Sequence, residues 1–134
     1  VTAFCVDHPG SAVYGEVYGA VQDLRYGCAP DQVRFAAFDI YRGGAGGWCE
    51  SETFKQLCDE YSIVRVPELR APDGCCVSFN FDRIAGLAEG PSLVPMAQHV
   101  REGVVVRPVV ERHDPAVGRV NLKVINPAYL ERGT

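Results

Sequence analysis

The strongest constraint on the fold is the stretch at residues 32–42, where Val33, Phe35, Phe38 and Ile40 recur among smaller and charged residues. That rhythm over about ten positions is the period of an extended strand. The run Gly43-Gly44-Ala45-Gly46-Gly47 then stops it. No Gly-Lys-Ser/Thr follows, so the glycines predict a flexible turn and not a phosphate-binding loop. A second stretch at residues 12–18, Ala-Val-Tyr-Gly-Glu-Val-Tyr, is rich in β-formers and closed by Gly19.

Between and after these strands the period changes. Phe54, Leu57, Cys58 and Tyr61 fall at i, i+3, i+4 and i+7, which predicts a helix through Tyr61 with Ser51 as its N-cap. A short strand is expected at residues 63–66, ending at Pro67. Residues 79–99 predict two short helices split by Gly90-Pro91, with a start near Ser92. Residues 103–111 and 119–125 are strand-like and form a plausible antiparallel pair across the turn at His113-Asp114-Pro115 and Gly118. Pro108 places the first of them at an edge or a bulge. Asn126-Pro127 opens a last helical turn carrying Tyr129 and Leu130. The class is α+β, with antiparallel strands and inserted helices.

At 134 residues, 47% hydrophobic and 22% charged, the chain has the size and composition of one globular domain and not two. No apolar run reaches the length of a membrane span, and the N-terminus has no basic segment leading into an apolar one. A soluble, cytoplasmic protein is the expectation. A net charge of −4 and a pI near 5.3 argue against a broadly basic nucleic-acid surface. They leave room for a local basic cleft, because field focusing depends on arrangement and not on the sum. The six cysteines include no CxxC pair, and Cys75 adjoins Cys76. With His8, His99 and His113 far from them in the chain, they are expected to be reduced thiols and not a disulfide or zinc framework.

Several charged residues sit inside β-forming stretches. Each has a bland explanation. Glu16 beside Gly15 is compatible with an edge carboxylate facing water, and Phe38 with an ordinary core aromatic. Lys123 would serve as a solvated charge guarding an edge, and Glu102 as a strand entry.

Their order carries more information. Tyr14-Gly15-Glu16-Val17-Tyr18-Gly19 comes first, then Phe35-Ala36-Ala37-Phe38-Asp39-Ile40. Glu102-Gly103-Val104-Val105-Val106-Arg107-Pro108 follows, then Val120-Asn121-Leu122-Lys123-Val124-Ile125-Asn126 with Tyr129. In this order the four segments resemble the later motifs of ATP-dependent RNA ligases of the nick-sealing branch and their bacterial relatives. These ligases belong to the covalent nucleotidyltransferases.

The resemblance implies a fold and a chemistry. The fold would be the ligase nucleotidyltransferase fold, ATP-grasp-like, with antiparallel sheets, inserted helices and a nucleotide pocket between them. Residues 1–134 would be one partial adenylation domain, incomplete on its N-terminal side. The chemistry would join RNA 3′-hydroxyl and 5′-phosphate ends through lysyl-AMP and RNA-adenylate, using ATP and Mg2+ or Mn2+. The partners would be RNA ends or nicked duplex RNA. By resemblance Glu16 accepts a hydrogen bond from the ribose, and Phe38 stacks on adenine. Glu102 helps to hold a divalent cation or its water shell, and Lys123 neutralises the α-phosphate. Arg107 falls on the opposite strand face from Glu102 if the strand is regular. It then either reaches a phosphate from a bulge or is simply exposed.

Two departures from the family pattern stand out. The Lys-x-Asp-Gly motif that supplies the nucleophilic lysine does not occur in this sequence. Lys55 follows motifs it should precede and lies within the predicted helix, so it does not qualify. Without that amine the chain alone is expected to be inactive in self-adenylylation. The second departure is Ile125, which stands where many relatives carry a second lysine; Arg107 and Arg119 are the possible substitutes. Three other readings compete: a DNA ligase or RNA-capping guanylyltransferase, a non-catalytic nucleotide- or nucleic-acid-binding module, and a purely structural domain.

Overall fold

A computed structural model describes residues 1–70 and 78–131, so Cys75 and Cys76 lie outside the described residues. The scaffold of the site is an antiparallel hairpin of β1 (Ala12–Gly19) and β2 (Val33–Tyr41). Both strands lie within one residue of their expected bounds. The register steps between Tyr14, opposite Asp39, and Gly15, opposite Ala37, so Phe38 is the extra residue of a β-bulge. A Cβ on Gly15 would lie 2.3 Å from the Phe35 ring and 2.5 Å from the Ala36 carbonyl oxygen. Glycine is therefore required there for Phe35 to cross to the core.

The core gathers against one face of this hairpin. Phe4, Ala37, Ile40, Cys49, Phe54, Cys58 and Ile63 form one buried cluster, with Val13, Phe35, Leu57 and Tyr61 packed around it. Full burial of a side chain such as Phe4 or Ile40 contributes about 2 kcal/mol. Phe4 comes from α1 (Thr2–Asp7), a six-residue helix too short to leave a periodic signature in the sequence.

Helix α2 (Ser51–Glu60) carries the predicted apolar stripe, burying Phe54 and Cys58. Its cap differs from expectation. Ser51 is the first helical residue, and extended Glu50 occupies the N-cap position without a side-chain bond. The favourable end charge comes from Glu52 in the first turn. Residues 63–66 do not form a strand of their own; Arg65 makes a single parallel bridge to Ala37. Ala37 N–H donates to Val64 O and Val66 N–H to Ala37 O, and Pro67 ends the run.

Only one of the two helices expected in residues 79–99 is present. It is α3 (Phe81–Ala88), whose cap Asn80 accepts from the Arg83 N–H at 2.9 Å. Beyond it Gly90 and Met96 have positive φ, and prolines occupy positions 91 and 95. These break helical continuity, and the segment closes on itself through Ser92 N–H to His99 O and a Pro91–Val100 bridge. The Ser92 hydroxyl accepts from the Val94 N–H in a local turn.

The anticipated antiparallel pair exists as β3 (Gly103–Val106) with β6 (Leu122–Ile125), and α3 packs on both. Both strands are shorter than predicted. Between them β4 (His113–Asp114) and β5 (Gly118–Arg119) make a small hairpin of their own, its turn bound by Asp114 Oδ1 accepting from Ala116 and Val117 N–H. Helix α4 (Pro127–Glu131) follows β6, with Asn126 Oδ1 accepting from Ala128 N–H. Among the described residues the three sheets are all two-stranded. No helix among the described residues is long and apolar enough to cross a membrane.

Candidate functional site

The outer face of the β1–β2 hairpin, away from the core, carries the first two expected site residues. Glu16 pairs with Ala36 across the ladder, and Phe38 lies two positions beyond Ala36 on the same strand. Phe38, the extra residue of the bulge, thus stands on β2 two positions from the cross-strand partner of Glu16. Glu16 is exposed and Phe38 is 43% exposed, so Phe38 is not the core aromatic its residue type alone would suggest.

Strand β3 is flanked by Glu102 and Arg107, and both side chains reach the hairpin, Glu102 at the β1–β2 connection and Arg107 at β2. At the first end the Glu102 carboxylate accepts a hydrogen bond from the Tyr26 hydroxyl. Tyr26 lies in the connection between β1 and β2, and its ring meets Tyr18 edge-on at 5.7 Å and His99 at 4.6 Å. Burial, then the hydrogen bond to Glu102, then the charges of Glu102 and Glu16 push the Tyr26 phenol well above its usual range. Tyr26 therefore links Glu102 to Tyr18, two residues along β1 from Glu16.

The Glu102 backbone is fixed on both sides. Asn126, almost fully buried, donates its N–H to Glu102 O and its side-chain amide to Arg101 O. Arg101 grips Leu87 O and Pro91 O with its guanidinium. Gly103 has φ +152°, and a Cβ there would lie 2.1 Å from Val124 O. That clash is the local reason a glycine follows the glutamate. Lys123 sits opposite Val105 on β6, exposed, with no ion pair to any described residue. Ile125 shares its strand face and is also exposed.

The guanidiniums of Arg107 and Arg119, named as substitutes for a second lysine, are both engaged by carboxylates. Arg107 donates to Phe38 O, Asp39 Oδ1, Cys49 O and Glu111. Arg119 binds Asp39 and Glu111 and lies 4.0 Å over the Trp48 ring. Both guanidiniums are held under the hairpin, because Asp39, only 4% exposed, needs positive partners once desolvated. Arg107 is thus not simply exposed: its guanidinium grips the Phe38 carbonyl together with Asp39, Cys49 O and Glu111. Arg119 holds Glu111 well below the usual carboxylate range, chiefly by hydrogen bonding.

The residue set suits a nucleotide with a hydrated divalent cation. Among the described residues Glu102 has a second carboxylate oxygen without a hydrogen bond and Lys123 has no ion pair, and Glu16 is a second exposed carboxylate. No three histidine, cysteine or acidic residues converge as a metal cage among the described residues. A Mg2+-type ion held through one carboxylate, water and phosphate needs no such cage. Cys5, Cys28, Cys49 and Cys58 are free thiols.

Sequence reasoning missed Tyr26, Asn126 as a clamp, and the Asp39–Arg107–Arg119–Glu111 group. A lone tyrosine in a loop and arginines in strands have no period that marks them. The nearest signal was Tyr26-Gly27 itself, a bulky residue and a glycine that both take positive φ.

Comparison with known proteins agrees with this geometry. A family model described as RNA ligase matches residues 3–125. The comparison with curated proteins found no match. Among solved structures the chain is similar to Naegleria gruberi RNA ligase with PPi, at TM-score 0.69 and 24% identity over 91% of this chain and 34% of that one. Mutants of the same ligase with ATP and Mn, at 24% identity, and with AMP and Mn, at 23%, match with the same TM-score and coverage. The chain thus spans about a third of the length of the ligase it matches, and its fold is that of the corresponding part. With a family model running through the strands of Glu16, Phe38, Glu102 and Lys123, this chain belongs to the RNA ligase family.

Proposed function

We propose that residues 1–134 form part of the adenylation domain of an ATP-dependent RNA ligase and carry the nucleotide side of its pocket. The observation that carries this is that Glu16 and Phe38 both lie exposed on the β1–β2 hairpin, while Glu102 is tied to the connection of the same hairpin by the Tyr26 hydroxyl. In this reading Phe38 stacks on the adenine, where a flat ring binds at low entropic cost. Glu16 accepts from the ribose hydroxyls. Lys123 neutralises charge on the α-phosphate, where in-line displacement at phosphorus needs it most. Glu102 would hold a Mg2+ or Mn2+ ion through a carboxylate oxygen or a bound water. When bound, such an ion supplies charge neutralisation and orientation at the phosphate. That mutants of the Naegleria ligase were solved with ATP or AMP and Mn supports ATP and a divalent metal here. The substrates would be RNA 3′-hydroxyl and 5′-phosphate ends, in nicked duplex or free, and the compartment the cytoplasm.

The chain by itself is proposed to be unable to form lysyl-AMP. Its sequence holds only Lys55 and Lys123. Lys55 lies in α2, paired with Glu52 at 2.7 Å and Glu68 at 3.0 Å. A nucleophilic amine requires a lowered pKa beside the α-phosphate, whereas the Lys55 ammonium is pushed up: burial lowers it, and the hydrogen bonds it donates to Glu52 and Glu68 outweigh that.

The test is label transfer from α-labelled ATP or GTP with Mg2+, on the chain alone and on the chain read from upstream in its reading frame. The expected result is no covalent label on the chain alone, and ATP label on the longer protein that Glu102→Ala abolishes. Label from GTP would indicate a capping guanylyltransferase. A folded longer protein that takes neither label would overturn the catalytic reading and leave a binding module.

A further inference from the structure

The loop between β1 and β2 is built around one side chain. Tyr26 has φ +49°, a backbone region that aromatic residues rarely adopt and that persists only where the surroundings impose it. Gly27 follows at φ +76°, and a Cβ on it would lie 2.6 Å from the Met96 Cβ and carbonyl oxygen, so the loop is pressed onto residues 91–100. That segment delivers His99 to the Tyr26 ring. The His99 Nδ1 lies 2.8 Å from Val100 O, and since a carbonyl only accepts, Nδ1 carries the proton and the imidazole is fixed in orientation. Tyr18 closes the other side of the ring. Two separate segments thus converge to aim one hydroxyl, and its acceptor is Glu102, 76 residues away in sequence.

Glu102 has no other side-chain hydrogen bond among the described residues. Its backbone is clamped by Asn126 and by the glycine-only geometry at Gly103, but the carboxylate would otherwise rotate freely. We propose that Tyr26 is the positioning residue of Glu102: its hydroxyl holds Oε1, fixes the plane of the carboxylate and leaves Oε2 as the oxygen presented to a divalent cation or its water. A neutral phenol suits the task. It donates to the carboxylate without adding a positive charge that would repel the cation, whereas a lysine or arginine in its place would do so. Hydrogen-bond partners of a metal-binding carboxylate govern its affinity for the ion in this way. The inference rests on the nucleotide-pocket reading of the site.

The test removes only the hydroxyl. In the 134-residue chain with saturating AMP, free Mn2+ is followed by electron paramagnetic resonance for wild type, Tyr26→Phe, Glu102→Ala and the double variant. Phenylalanine keeps the ring contacts to Tyr18 and His99. The expected result for Tyr26→Phe is Mn2+ binding weakened by about tenfold, with metal-free AMP affinity within about twofold of wild type and an unchanged thermal midpoint. In the Glu102→Ala background Tyr26→Phe should cost nothing further, since the group it positions is gone. Wild-type Mn2+ affinity in Tyr26→Phe would overturn the proposal, as would an equal loss in both backgrounds or a loss that tracks a lowered thermal midpoint. Wild-type protein that binds AMP but no Mn2+ would also overturn it. Wild-type protein that binds neither would overturn the pocket reading itself and the inference with it.

Discussion

At the scale of single residues, the site depends on side chains kept out of the core as much as on those that build it. Phe38 owes its exposure to the bulge that makes it the extra residue of β2, while its carbonyl is held by Arg107 at 2.6 Å. The ring itself has little structural work, so Phe38→Ala should leave the thermal midpoint nearly unchanged. It should raise the Kd for AMP or ATP about tenfold, the scale of losing one base–aromatic stack. Isothermal titration of the variant against wild type measures this, and an unchanged Kd would remove Phe38 from the pocket. The glycines are the complementary case. At Gly15 and Gly103 a methyl group would strike the Phe35 ring or the Val124 carbonyl, so each motif glycine is there to let a neighbour pass.

At the scale of elements, the β4–β5 hairpin is held to β2 by charge. Arg107 and Arg119 sit between Asp39 and Glu111, and Arg119 also covers the Trp48 ring. Glu111 is held below the usual carboxylate range, first by its hydrogen bond to Arg119 and then by the charges of Arg119 and Arg107. Its folded pKa is depressed, so its contribution to stability is complete above the unfolded value, about 4.3. That contribution is lost as the pH falls below about 4 and through the folded value. Urea unfolding between pH 7 and pH 3 should therefore show a Glu111→Gln variant that is weaker than wild type at neutral pH and converges on it at the acid end. Parallel curves across that range would show that the pairing contributes nothing measurable, as exposed ion pairs often do.

Across the whole molecule the apolar core and the site divide the chain between them. The buried cluster joins α1, β2, α2 and Ile63, while the C-terminal part buries mainly Ile84, Ala88 and Asn126. The link between the two is largely polar, through Tyr26–Glu102 at one end of β3 and the Arg107 and Arg119 group at the other. Among the described residues each sheet has two strands, a unit that is marginal in water without further packing, and Val33, Phe81, Val105 and Leu122 stay exposed. For the 134 residues alone we expect an unfolding free energy of a few kcal/mol, below the roughly 5 kcal/mol of the weakest ordinary domains. Saturating AMP should raise it by mass action. A cooperative urea transition above about 8 kcal/mol without ligand would contradict this.

Much of this was legible in the residue order. Periods of two and of three to four residues located β1, β2, α2 and the β3–β6 pair to within a few residues, because core-facing side chains must recur at the pitch of the element that carries them. The order of Glu16, Phe38-x-Ile40, Glu102-Gly103 and Lys123 was enough to place the chain in the RNA ligase family, since motif order survives where overall identity does not. Other features required the folded chain. No period in residues 20–31 or 91–100 signals that Tyr26 and His99 meet, or that Arg107 and Arg119 both turn to Asp39. Those contacts join residues some 70 positions apart, and their geometry follows from tertiary packing and the cost of burying an unpaired carboxylate, neither of which leaves a local pattern.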